Sequence, residues 1–304
     1  MKRKILIRIT GILFLAVGLI SLFIFPAEFT SFYAFTEGGK FHYEGFAFGS
    51  LMFAFIISNA MAYFTFAVFC IPLGMGNLKL KKWGLNLSLA CLKTISIIGM
   101  TLMIAFLFSF ELIKKLELYQ TLLILSFLII FLIALPFAAI KFYINPKTGS
   151  LFQESVPGNY FEKQSTNQLT VLLLNYFWMM VFYLLIFLKG AFPLWGEFIF
   201  KKEGVYLIST AVFVLLVISY FFYKNKYRAE IASLIYYLFL FFTFAFTYFK
   251  YSTNDFLNKL SLPVYEMEKI VPAFWIPAGI NLGVFFGTLI IIQIFLVVMV
   301  KIKK

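Results

Sequence analysis

Residues 121–140 read TLLILSFLIIFLIALPFAAI, an unbroken apolar stretch without a charged side chain. A helix of about 20 residues, rising roughly 1.5 Å at each, crosses a hydrocarbon core of about 30 Å. A membrane strand would alternate apolar and polar residues, and this stretch does not. Similar stretches recur along the chain. Hydropathy predicts eight spans, at about 5–25, 44–72, 85–109, 119–141, 168–189, 204–223, 230–249 and 273–298. The expected fold class is all-α: a polytopic integral membrane protein with about eight transmembrane helices.

Composition points the same way. The chain has 304 residues, 62% hydrophobic and 13% charged, with a mean hydropathy of +0.95, far from the soluble range. A net charge of +13 would suggest nucleic-acid binding in a soluble protein. Here the basic residues sit in short loops between apolar spans, which is the orientation signal of membrane insertion, and no nucleic-acid partner is expected. With the N-terminus inside, inner segments carry Lys2, Arg3, Lys4 and Arg8, then Lys79, Lys81 and Lys82. They continue with Lys141, Lys147, Lys163, Lys224, Lys226, Arg228, Lys301, Lys303 and Lys304, opposed only by Glu154, Glu162 and Glu230. The outer segments hold nine lysines against ten acids. The expectation is a bacterial inner-membrane protein with both termini cytoplasmic. The basic start could belong to a signal peptide. Its apolar stretch runs about 18 residues beyond Arg8 with no small-x-small cleavage site, so it reads as a retained first span. Cys70 and Cys91 both fall in apolar spans, and no structural disulfide is expected.

Laid side by side, the two halves suggest a duplication. Each runs span, outer loop, span, basic inner turn, span, outer loop, span. The outer loops contain FPAEF (25–29) and FPLWGEF (192–198), and end at Glu44-Gly45 and Glu203-Gly204. Four spans per copy would make the repeats parallel. The domains expected are a first four-helix unit at 1–146, a cytoplasmic linker at 147–167 carrying Pro157-Gly158, and a second unit at 168–304. The outer loop 252–272 is expected to hold a short amphipathic surface helix ended by Pro272.

Two short motifs mark the first half: GNLKLKKWGLNLSLA (76–90) and KFYINPKTGSLF (141–152). With Gly76, Leu80, Trp83 and Gly84 in the turn, and Tyr143, Pro146 and Phe152 in the exit, this half resembles small bacterial four-span membrane proteins. The resemblance covers about 150 residues and stops at the linker. That group has no established activity, so the resemblance implies a four-span architecture and no chemistry.

Most catalytic sets are missing from the inventory. The chain has one histidine, which excludes a two-histidine metalloprotease site and paired imidazole haem ligation within one chain. Asp255, in an outer loop, is the only aspartate, and no phosphate-cradling Gly-rich loop ends in Lys-Ser or Lys-Thr. Gly49-Ser50 is a poor match to an intramembrane serine nucleophile. No catalytic residue, metal ligand or cofactor is therefore assigned.

The polar residues worth following are few. His42 and Glu44, at the predicted outer end of span two, could form a pH-sensitive pair, with Glu44 the more interesting. Lys93 lies inside span three, where a lysine either snorkels to the headgroups or meets an anionic group. Asn59, Asn175 and Asn281 could be interhelical glue or line a polar path. Gly279, Gly283 and Gly287 recur every four residues in span eight and predict a close-packing stripe, internal or toward a neighbour. Pro136 predicts a kink in span four. In YYLFLFFTFAFTYF (236–249) aromatics surround the helix, which suits lipid contact and interhelical packing. No carboxylate is predicted at mid-span, which argues against a proton- or sodium-coupled carrier. Two functions fit: an accessory or scaffold subunit that packs against lipid, other membrane proteins or a second copy; or an uncoupled transporter or channel for a small neutral or apolar compound.

Overall fold

The computed structural model describes residues 2–153, 164–224 and 228–302. The middle of the expected linker, with Glu154, Pro157-Gly158, Glu162 and Lys163, lies outside them, as do Lys226, Lys303 and Lys304. Among the described residues eight helical segments are long and apolar enough to cross a membrane: Lys2–Phe35, Leu51–Leu78, Lys82–Leu107, Leu118–Ile144, Thr166–Phe187, Lys201–Tyr223, Ala229–Lys250 and Leu282–Ile302. They are called spans one to eight. The protein is an all-α polytopic membrane protein. With eight crossings residues 2 and 302 would fall on one side, called the terminal face; the opposite side is called the far face.

Two span starts differ from the hydropathy reading, each for a local reason. Span two begins at Leu51 rather than near residue 44. Gly45 and Gly49 hold φ of +92° and +98°, which a helix cannot contain, and Ser50 caps the helix by accepting from the Phe53 N–H at 3.2 Å. Span eight begins at Leu282 rather than 273. Pro272 and Pro277 lie in separate short turns, and Asn281 caps the span by accepting from the Val284 N–H at 3.0 Å. Hydropathy sees only apolar character and so ran through both caps. The outer loop likewise is no single surface helix: a turn of helix at Thr253–Lys259 is followed by π and 3₁₀ turns through Phe274.

Spans one and two pack backbone to backbone. A Cβ on Gly74 would come within 2.7 Å of the Leu15 nitrogen, and one on Gly18 within 2.7 Å of Ile71. Spans two and three cross equally closely where Gly76 meets Gly84, a Cβ on either reaching within 2.7 Å of the other's Cα. On the terminal face, Ile7, Leu80, Leu89, Tyr143 and Phe152 form one buried cluster, so the turn and exit motifs meet in space. Gln153 locks them together, donating to the Leu80 carbonyl at 2.8 Å and accepting from the Lys82 N–H at 2.9 Å. Arg3 donates to Asn145 Oδ1 at 2.7 Å, and the Tyr143 hydroxyl donates to Asn77 Oδ1 at 3.2 Å, which ties spans one, two and four. Span four turns from α to π at Leu128–Ala134, just before Pro136, whose missing N–H breaks the regular ladder.

The second half is built around span five. Val171, Leu174, Trp178 and Phe182 are fully buried, and Trp178 packs against Phe244 and Phe286 with ring centroids 5.1 and 5.3 Å away. Span seven divides its aromatics: Tyr237, Phe244 and Tyr248 face inward, whereas Phe242, Phe246 and Phe249 face outward, where the bilayer lies. The paired outer-loop motifs fold differently. FPAEF lies mostly in the helix ending at Glu28, with Pro26 inside it, whereas FPLWGEF forms a two-stranded antiparallel hairpin, Phe192–Leu194 with Glu197–Ile199. Trp195 and Gly196 both hold positive φ at its tip, as a tight two-residue hairpin turn demands. Glu44-Gly45 stands in a loop, whereas Glu203-Gly204 opens span six.

Candidate functional site

The far face is closed by a cap, the chain from Ser252 to Asn281. Its first turn is pinned by Ser252 and Asp255, which cap one another's backbone N–H groups at 3.1 and 2.9 Å. The Ser252 hydroxyl, donating to Asp255 Oδ2 at 2.7 Å, and then the Ser252 N–H hold the Asp255 carboxyl below the ordinary aspartate value. The Ser261 carbonyl accepts from Lys189 Nζ at 2.6 Å, and the Asn281 N–H donates to Ser109 Oγ at 2.9 Å. The strongest tie is Glu266, which is fully buried. Its carboxylate accepts from the N–H groups of Leu51 and Met52 at 2.7 and 2.9 Å and from the Tyr43 hydroxyl. Span two thus receives its first two backbone caps from the last outer loop, where the helix end favours negative charge. The Tyr43 ring stacks on Tyr265 at 4.7 Å between centroids. Burial, then the bond to Glu266, pushes the Tyr43 hydroxyl above the ordinary tyrosine value.

Beneath the cap lies an apolar chamber of about 380 Å³, half open to its surroundings. Its walls are the first turns of span two (Leu51 to Ser58), the last part of span five (Phe177 to Leu188), and parts of spans seven and eight. Phe256, Leu257, Phe274 and Pro277 of the cap roof it. The chamber therefore lies between the two halves, and at about 1.5 Å per residue it reaches roughly 10 Å along span two. Among the described residues no Asp, Glu, Lys, Arg or His lines it. A second and larger space of about 690 Å³ adjoins it, bordered by Ser109, Glu111, Lys115, Asn254, Trp275 and Asn281. Tyr248, Thr253, Ala278 and Leu282 line both the chamber and this second space, the vestibule. The Thr253 hydroxyl is buried there and has no hydrogen-bond partner among the described residues.

The polar residues singled out in the sequence do not converge. His42 and Glu44 are exposed in the loop before span two; His42 Nδ1 donates to the Phe35 carbonyl at 3.0 Å. The residue between them, Tyr43, is the one turned inward. Lys93 Nζ donates to Asn167 Oδ1 at 2.9 Å, linking span three to span five. Asn59 donates to Glu28 at 3.2 Å. Asn175 is fully buried, donating to Ser219 at 2.9 Å and accepting from the Tyr237 hydroxyl at 2.5 Å, which binds spans five, six and seven. Asn281 alone of the three asparagines borders the vestibule. The glycine stripe is broken, because Gly279 precedes span eight and packs on Leu112. Gly283 meets the backbone of Phe249, and Gly287 faces Ala245 and the Phe249 ring, so both serve packing within the chain. Pro277 and the Asn281 cap interrupt the helix that would have aligned all three.

Sequence reasoning missed Glu266, Thr253 and the buried pair in which Trp178 Nε1 donates to Gln293 Oε1 at 2.7 Å. One signal was legible: Gly49-Ser50, weighed only as a nucleophile, is the stop-and-cap signal of span two. Among the described residues no three His, Cys, Asp or Glu side chains stand close enough to hold a metal ion. On the far face, Glu111 is held below the ordinary glutamate value by its hydrogen bond from Lys114, and Glu197 by that from Lys250.

Fold and cavity define an eight-span helical membrane protein with an apolar chamber between its halves. No protein family, curated protein or solved structure matches the chain.

Proposed function

We propose that the protein takes up an apolar compound, without ion coupling, in the chamber between its halves. On the loop-charge asymmetry the terminal face is cytoplasmic, so the chamber belongs to the outer leaflet of the cell membrane. The observation that carries this reading is the chamber itself. Its volume of about 380 Å³ falls in the usual range of small-molecule sites, and its walls are almost wholly hydrocarbon and aromatic. With no acid or base on the wall, a compound that arrives from water is held by removing its apolar surface from water, roughly 25 cal/mol per Å². The accessory-subunit reading draws less support, since Gly283 and Gly287 spend their close packing on span seven of the same chain.

The test is saturable binding of a fluorescent polyene hydrocarbon to purified protein, compared with Ser58→Trp, which fills the chamber from the span-two wall. Wild type is expected to bind stoichiometrically, and the variant, folded by circular dichroism, to lose binding. Equal binding by both would overturn the reading.

A further inference from the structure

The chamber is half open, and the exposure of its walls locates the open side. Among its described lining residues only Phe55 of span two and Pro277 of the cap are exposed. Phe274, half-buried, lies one helical turn before Pro277, and its ring meets the Phe55 ring edge-on at 5.6 Å between centroids. The roof, by contrast, is shut: Phe256 and Leu257 are buried, as are Leu260 and Leu262 beyond them. The chamber therefore opens sideways, between span two and the cap. We propose that it is filled from that side, through a mouth between Phe55 and the Phe274–Pro277 stretch, by a hydrocarbon chain of a bilayer lipid. This rests on the chamber reading above and goes further in naming the source of the ligand and its way in.

Position and chemistry both put lipid at the mouth. Phe55 stands 23 positions before Leu78, the last residue of span two. At about 1.5 Å per residue that is roughly 35 Å, against a hydrocarbon core of about 30 Å. A helix entering at the basic turn after Leu78 thus carries Phe55 to the far boundary of the core, where acyl chains join their headgroups. Trp275, exposed beside Phe274, is the amphipathic ring expected at that level. The Phe55 ring is 40% exposed. Toward water it would keep that apolar area hydrated; against acyl chains the area costs nothing. From the mouth the chamber runs toward the bilayer centre, from Leu51 to Ser58 on span two and from Leu188 to Phe177 on span five. That is the direction the chains of the same leaflet take. The Phe55–Phe274 pair is the movable part, since either ring can change rotamer without breaking a hydrogen bond.

The experiment uses the full chain in lipid discs and two photoreactive probes. One is a phospholipid with a diazirine in mid-acyl chain, which stays in the bilayer; the other is a free diazirine alkane, which can enter by any route. Adducts are mapped by peptide mass spectrometry at Leu185 and Phe286, buried wall residues out of reach of lipid outside the protein. Both probes are expected to label both positions in the wild type. A second measurement places the mouth. In a chain with Cys70→Ala and Cys91→Ala, the pair Phe55→Cys and Phe274→Cys is closed with a short bifunctional thiol reagent. Closure should abolish phospholipid labelling of Leu185 and Phe286 relative to the same variant left open. If in the wild type the alkane labels both positions and the phospholipid neither, side loading fails and the chamber reading survives. If the phospholipid labels them and closure changes nothing, the mouth lies elsewhere and the inference also fails. If neither probe labels them, the inference and the chamber reading fail together.

Discussion

The Glu266 carboxylate and the Tyr43 hydroxyl are hydrogen-bonded across 223 positions of sequence, in a buried contact that fastens the last outer loop to the start of span two. The loop that roofs the chamber is thereby held by the helix that walls it. Roof and wall are one mechanical unit, and Glu266 is its fastener.

Removing the fastener should loosen the roof. Glu266→Ala leaves the Leu51 and Met52 N–H groups and the Tyr43 hydroxyl without their acceptor, at a cost of about 2–3 kcal/mol. Tyr43→Phe removes one donor and leaves the two backbone bonds, so it should cost about 1 kcal/mol. The combined variant should fall short of the sum, because the two residues share one contact. Thermal unfolding in detergent reads the total, and hydrogen exchange over residues 253–274 should rise in Glu266→Ala while spans five and six stay protected.

The same contact sets an alkaline limit. The Tyr43 hydroxyl is raised above its ordinary value, so the folded protein keeps its proton where the unfolded chain would give it up. Its stabilisation is full below about pH 10, the ordinary tyrosine value, and is lost as pH rises through the higher folded value. Between about pH 10 and 11 the wild type should lose stability faster than the Tyr43→Phe variant in parallel melting curves. Identical slopes would remove the protonated Tyr43 from the account.

What could be read from sequence, and what could not, divides along a physical line. Crossing a membrane is a property of composition over about 20 residues, so all eight spans were legible. A helix start is set by one or two residues, and hydropathy averages over them; hence Ser50 and Asn281 were misplaced inside spans. The far-face cap is decided by contacts between distant segments. Alternation in Phe41-His42-Tyr43-Glu44 shows that neighbours point apart, but not which side faces protein. Attention fell on the ionisable pair His42 and Glu44, and the structure buries Tyr43. Nothing local to Glu266 announces that its partners lie 214, 215 and 223 positions away.

Close backbone approach gives a sharp contrast between glycines. A Cβ on Gly204 would stand 1.8 Å from the Gly190 carbonyl oxygen and 2.6 Å from that of Ile199. Both neighbours are backbone, so Gly204→Ala must push the hairpin away from span six, at roughly 1–3 kcal/mol or more. Gly149→Ala meets nothing within 4 Å and has no positive φ, so it should be neutral or slightly stabilising. Detergent melting of both variants checks the pair, and equal melting points would refute the crossing.

Asn175 tests whether the polar residues inside the bundle are glue. Its side chain joins the Ser219 hydroxyl on span six to the Tyr237 hydroxyl on span seven, and all of its reach is spent on protein. Asn175→Leu keeps the volume near constant but strands both hydroxyls, so stability should fall by about 1–2 kcal/mol. Because Asn175 borders neither chamber nor vestibule, ligand affinity should stay within about twofold once the loss of folded protein is corrected. A polar path through the bundle would require the opposite pattern, with little loss of stability and a large change in uptake. Measuring both quantities on this one variant therefore separates a solvated route lined by asparagine from a dry bundle whose ligand enters through the capped end.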